Sequence, residues 1–187
     1  SDASGSDPIE TGYQYAIFPY DKKFNSCTQY GALTVMIPAE QSVHDGDTPG
    51  VGARILMVAQ DAKGDFSFKH VGSYIAATLK GEGVSVASIS FRGNNSEIMA
   101  GLSTVTFDDN GKPVAVFESK YARYQSDAVT MNFEDPVVLS SEETEFWLIV
   151  PSITLSKGYT MTVTDTNGGV FEKKTTSSLT LKRKNFY

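Results

Sequence analysis

Alternation with a period of two, carried by β-branched and aromatic residues, is the feature that most limits what this chain can become. The stretch 66–95, FSFKHVGSYIAATLKGEGVSVASISFRGNN, shows it most fully. It reads as a short aromatic strand with a lone histidine, a long strand, a Gly-bracketed turn, a second strand and a polar Gly-Asn-Asn stop. Val71, Ile75, Ala77 and Leu79 share one parity, while Gly72, Tyr74, Thr78 and Lys80 share the other. Farther on, Tyr159, Met161 and Val163 alternate with Thr160, Thr162 and Thr164. Such spacing sets one face of a strand in a core and the other in water. Thr, Val and Tyr abound where a helix would use Ala, Glu and Leu. The expected class is all-β, a sandwich.

Two strands break phase. Val84 and Val86 lie on one parity and Ile89 and Phe91 on the other, a slip at Ala87–Ser88. Ile98, Ala100 and Leu102 likewise give way to Val105 and Phe107. A slip needs a bulge or burial on both faces, and for the second strand Gly101 favours a bulge near 101–103. Phe146-Trp147-Leu148-Ile149-Val150 is apolar at every position, as in a central strand covered on both sides and ended by Pro151. Asp108-Asp109-Asn110-Gly111 and Asp165-Thr166-Asn167-Gly168-Gly169 read as hairpin turns, with Asn-Gly supplying the positive φ. Gly81 and Gly83 bracket a third turn. Phe117, Tyr121 and Tyr124 have helical spacing over one or two turns.

At 187 residues the chain is long enough for one large β domain or two small ones, and for a core without covalent staples. A soft boundary near Lys69–Gly72 divides a loop-rich 1–70 from a regular 71–187. The stretch 39–52, rich in Gly, Asp and Pro, is the longest expected connection. The opening SDASGSDPIETG has the composition of a flexible leader or a cut edge. The net charge of −6 argues against a nucleic-acid partner, which calls for clustered Lys and Arg. Cys27 is the single cysteine, so neither an intrachain disulfide nor a thiolate metal cage can form, and an inert buried thiol is expected. No apolar run approaches the ~18 residues of a membrane span.

The search for catalytic apparatus finds none. His44 and His70 have no metal-ligand spacing. His70, beside an aromatic strand, is expected to be a hydrogen-bonded structural imidazole, and His44 with Asp45 and Asp47 offers at most a weak metal site. The acidic hairpins lack the ligand alternation and closing Glu of a calcium loop. Gly83-Val84-Ser85-Val86-Ala87 is the nearest approach to a nucleophile elbow, but its serine falls within a strand. Glu142, Glu143 and Glu145 read as a solvated rim. No enzyme activity, cofactor or metal is expected. Aromatics carry more weight. Tyr13, Tyr15, Phe18 and Tyr20 crowd the first strand and favour core and edge packing. Tyr121, Arg123 and Tyr124 form a second group whose residue types suit recognition, including stacking on a sugar ring.

The words YAIFPYD, LTVMIPAEQ, FSFKHVGSYIAATLKG, SISFRGNN, FWLIVPSITLSKGYTMTVTDTNGG and LTLKRKNFY, in that order, cover nearly the whole chain. Together they resemble the fimbrillin-like proteins of Bacteroidales, fimbrial subunits and related surface lipoproteins. Phe68, Lys69 and His70 match that family's strand entry, and Arg183 and Asn185 resemble its terminal Arg-Asn signature, with Lys184 inserted between them. The resemblance implies two stacked transthyretin-like β-sandwich domains, the first incomplete, and a lipid anchor outside this chain at the outer membrane. It implies assembly with neighbouring fimbrial subunits or other surface proteins by β-strand donation, and no catalytic residue. A lipidated cysteine and an early Trp/Gly-Asp segment do not precede Tyr13, and polymerising members continue past the position of Tyr187. A truncated or processed form, or a shorter surface branch, would account for both. The expected function is a non-enzymatic structural or adhesive surface protein. The alternative is a carbohydrate-binding module for host or dietary glycans, with Tyr121, Arg123 and Tyr124 as its shelf.

Overall fold

A computed structural model describes residues 13–20, 33–43 and 55–187, together with the backbone of 26–27 and 51–52. His44, Asp45, Asp47, the side chain of Cys27 and residues 1–12 lie outside the described residues. The chain is all-β. In order, the strands are β1 (Gln14–Phe18), β2 (Ser26–Cys27), β3 (Leu33–Ile37), β4 (Glu40–Gln41), β5 (Val51–Gly52) and β6 (Met57–Asp61). Then come β7 (Lys69–His70), β8 (Ser73–Leu79), β9 (Ser85–Gly93), β10 (Gly101–Phe107) and β11 (Pro113–Val116). A 3-10 helix, η1 (Ser119–Tyr124), precedes β12 (Ala128–Val138), β13 (Thr144–Val150) and β14 (Thr154–Leu155). The last are β15 (Tyr159–Asp165), β16 (Val170–Lys174) and β17 (Leu179–Thr180).

A five-stranded sheet, β16-β15-β9-β12-β4, faces a three-stranded sheet, β5-β13-β8. Phe133 and Phe146 meet edge to face between them at 5.6 Å. A four-stranded sheet, β11-β10-β3-β2, and a three-stranded sheet, β1-β6-β7, share the same continuous core. Strands from either side of residue 70 pair with one another: β3 with β10, β4 with β12 and β5 with β13. β4 and β5 fall within the stretch 39–52 that the sequence suggested as a connection.

β13 bears out its apolar run, with Phe146 through Val150 all buried. Gln41 extends the ladder beside it. Its Nε2 donates to the Ile149 carbonyl at 2.7 Å and its Oε1 accepts from the Ile149 N–H at 2.9 Å. A side-chain amide thus does at that position what a backbone neighbour would do.

The slip at Ala87 is a bulge. Ser88 pairs with Thr164 and Val86 with Asp165, which leaves Ala87 without a ladder partner on β15. β12 shifts register at the same place. The second slip has a different cause from the one expected. β10 pairs with β3 in unbroken register from Gly101 to Val105, so no bulge lies at 101–103. Gly101, Leu102 and Ser103 are all buried, and covering on both faces removes the need for alternation. Gly101 serves instead to let η1 approach. Its φ is +139°, and a Cβ there would lie 2.9 Å from the Tyr124 carbonyl oxygen.

The acidic turns are built alike. Asp108 Oδ1 accepts from the N–H groups of Asn110 and Lys112, and Asp165 Oδ1 from those of Asn167 and Gly169. Asp61 does the same for Lys63 and Asp65, a third turn of this kind that the sequence reading passed over. These bonds hold the Asp61 and Asp108 carboxyls below their ordinary range, because each N–H favours the charged form. The aspartates are spent on their own loops.

Candidate functional site

η1 carries Tyr121, Arg123 and Tyr124, and none of its residues is buried. The three side chains do share one short element, but cations already lie on the rings. The Arg123 guanidinium sits 4.6 Å from the Tyr124 ring centre, and its Nη2 donates to the Tyr124 hydroxyl at 2.7 Å. Lys120 Nζ lies 4.9 Å from the centre of the Tyr121 ring. Lys120 also pairs with Glu118 at 2.7 Å, and this contact, followed by one from the Thr104 hydroxyl, holds the Glu118 carboxyl low. The first aromatic group is divided. Tyr15 packs 6.1 Å from Phe107, whereas Tyr13, Phe18 and Tyr20 are exposed.

His70 takes the structural place expected of it. Its Nδ1 shares a 2.8 Å hydrogen bond with the Tyr74 hydroxyl. Burial, then the positive charges of Lys184 and Arg183, push its pKa below the ordinary imidazole value, so neutral imidazole is favoured. Burial raises the Tyr74 hydroxyl correspondingly. Among the described residues no group of three His, Cys, Asp or Glu side chains could hold a metal, and no helix is long and apolar enough to cross a membrane.

The chemistry-bearing feature is elsewhere, along the edge of β8. There the last residues fold back as a clasp. Asn185 and Tyr187 carbonyls accept from the N–H groups of Tyr74 and Ala76, and the Tyr187 N–H donates to the Tyr74 carbonyl. The pairing is parallel, with Phe186 opposite Tyr74. The Phe186 ring lies between Tyr74, stacked at 5.0 Å, and Trp147, edge-on at 4.9 Å. Tyr187 locks the turn, donating its hydroxyl to the Thr180 carbonyl and accepting from the Lys182 N–H.

The clasp covers only the first part of that edge. The Thr78 N–H and the carbonyls of Ala76 and Thr78 point the same way as those it engages, since alternate residues of a strand face one neighbour. They have no backbone partner among the described residues. Beside them runs an apolar groove of about 630 Å³. Val86, Met161, Val163, Phe171 and Tyr187 are among the residues that line it. The imbalance of the sheets creates it. β15 and β16 continue the five-stranded layer beyond β9, and Met161, Val163, Phe171 and Lys173 of these two strands line the groove. Every residue of β16 is exposed, Phe171 at 63%.

The sequence reading placed the face of Tyr159, Met161 and Val163 in a core, and Val163 is buried there with Tyr159 and Met161 packed against it. It did not foresee that the same three residues also line a groove. Phe171 and Lys173 carried no motif, and Tyr187 entered only as the last residue of LTLKRKNFY. Exposed Val170 and Phe171 in VFEKK, beside a hairpin turn, were the available hint. Comparison with protein-family models, with characterised proteins and with solved structures finds no match for this chain.

Proposed function

We propose that the protein is a non-enzymatic cell-surface subunit, structural or adhesive, that works by accepting a β-strand from another polypeptide along β8. The carrying observation is the juxtaposition of an apolar groove of about 630 Å³ with the Ala76 carbonyl and the Thr78 N–H and carbonyl, which have no backbone partner among the described residues. A strand laid there would complete the ladder and bury alternate side chains against Met161 and Phe171. The clasp supports this reading, because an extended segment already pairs along the same edge. In this proposal the sandwich is of the transthyretin-like kind in two stacked units, the protein stands on the outer face of the outer membrane, and neighbouring fimbrial subunits or other surface proteins supply the strand. The resemblance to fimbrillin-like proteins agrees with it.

The test is thermal unfolding of the whole chain with short peptides that alternate apolar and polar residues. At a hundredfold excess over Kd, a ligand that binds only the folded state stabilises by about 2.7 kcal/mol. For a domain of this size the midpoint then rises by about 5–10 °C. Thr78→Pro keeps the fold, since proline is tolerated where an edge N–H faces solvent, but removes a donor that the added strand needs. The peptide shift should shrink in that variant. If no alternating peptide raises the midpoint of the wild-type chain, strand acceptance is wrong.

A further inference from the structure

The groove beside β8 carries charge of one sign, and this describes its occupant further. The inference rests on the strand-acceptor reading above. We infer that the occupant is an extended polypeptide segment, apolar at every second residue, with carboxylates where it passes Lys80 and Lys173.

The backbone argues for a peptide. The Thr78 N–H and the carbonyls of Ala76 and Thr78 form a ladder edge that only another main chain matches in spacing. The clasp fixes the phase. With Phe186 opposite Tyr74, Tyr187 lies opposite Ile75 and lines the groove, so residues continuing that line opposite Ala77 and Leu79 also face inward. There they meet Leu139, Val163 and Phe171, which favour apolar side chains. The intervening residue, opposite Thr78, faces out.

The lysines argue for acid. Lys80 follows the last residue of β8, and Lys173 stands on β16 opposite Met161, on the other wall. They are the charged side chains of the groove lining, which contains no Asp or Glu. Neither makes an ion pair among the described residues. Yet the chain as a whole carries −6, so two lysines on one groove with no carboxylate partner among the described residues are not a reflection of overall composition. Cations flanking an apolar site favour an acidic partner and repel a basic one, which adds selectivity to the sequence-blind ladder.

Labelled peptides of about nine residues, alternating Val and Thr and ending in Asp-Asp, Asn-Asn or Lys-Lys, test this by fluorescence anisotropy against the full chain. The acidic peptide should bind about tenfold more tightly than the neutral one at low salt, the basic one most weakly. The spread should narrow in about 0.5 M salt, where the Debye length falls to a few ångströms. A variant with both Lys80→Glu and Lys173→Glu, shown by circular dichroism to be folded, should reverse the order. Equal binding of all three peptides would overturn the charge inference while leaving strand acceptance standing. Binding of none would remove both. Saturable binding of decanoate with no peptide binding would make the groove a site for amphipathic acids and overturn the peptide occupant.

Discussion

Replacing Phe186 with alanine should open the clasp. The ring is 53% exposed, so its truncation forfeits about half of the ~3–5 kcal/mol that a fully buried phenylalanine loses. It also forfeits the stacked contact with Tyr74 and the edge-on contact with Trp147, each worth about 0.5–1.5 kcal/mol. Allowing for overlap between the two reckonings, the clasp should lose about 2–3 kcal/mol. That is a large share of the stability of a terminal segment held by a few hydrogen bonds, so the effect should be local opening before global unfolding. Amide exchange reads it directly. The N–H groups of Tyr74 and Ala76 donate to clasp carbonyls, and their protection should fall about 30- to 150-fold. Trp147 provides a second readout, as the single tryptophan of the chain. Its indole packs against Phe186 and should redden in emission when the ring is removed. Phe186→Leu, which keeps apolar volume, should show a smaller change. Unchanged exchange at Tyr74 and Ala76, with unchanged emission, would refute the claim that this ring holds the clasp.

Gln41→Leu should cost about 2–4 kcal/mol in urea unfolding, because it strands both the N–H and the carbonyl of buried Ile149; a loss under 1 kcal/mol would mean those groups find other partners. Gly158→Ala should cost about 2 kcal/mol or more, since φ is +73° and a Cβ would strike the Thr175 carbonyl. Gly168→Ala, at φ +81° but in open space, should cost only about 1 kcal/mol, and equal losses at the two glycines would discard the steric argument. His70 sets a pH dependence. Its folded pKa lies below the ordinary 6.5, so the folded state binds fewer protons than the unfolded one in that interval. Its contribution to stability is complete above about pH 6.5 and is lost as pH falls toward the depressed folded value. Unfolding midpoints measured from pH 7.5 to 5 should therefore fall more steeply in the wild type than in His70→Gln; parallel curves would remove His70 as the cause.

The candidate groove was less legible than the fold for a definite reason. Alternation in Tyr159, Met161 and Val163 reports that one face is apolar, whatever covers it. A core-facing strand and a groove-facing strand therefore share one pattern, and the difference lies in how many strands the opposing sheet contains. Likewise the slip in β9 and the slip in β10 look the same on paper. Ala87 is a bulge because β15 skips it, while Gly101–Ser103 is continuous because another layer covers its second face.

What the sequence determined alone was local and periodic. The all-β class, the doubly buried strand at Phe146–Val150, the two Asn-Gly turns and a short helical segment around Tyr121 and Tyr124, observed as Ser119–Tyr124, follow from residue spacing and from the conformations that Asn, Asp and Gly allow. These depend on interactions within a few residues of one another. The tertiary structure decided which edge stayed open. Asn185 and Tyr187 bond to Tyr74 and Ala76, and Thr78 has no backbone partner among the described residues, where a layer of five strands faces one of three. No local pattern encodes that, because which strands face one another depends on residues far apart in the sequence.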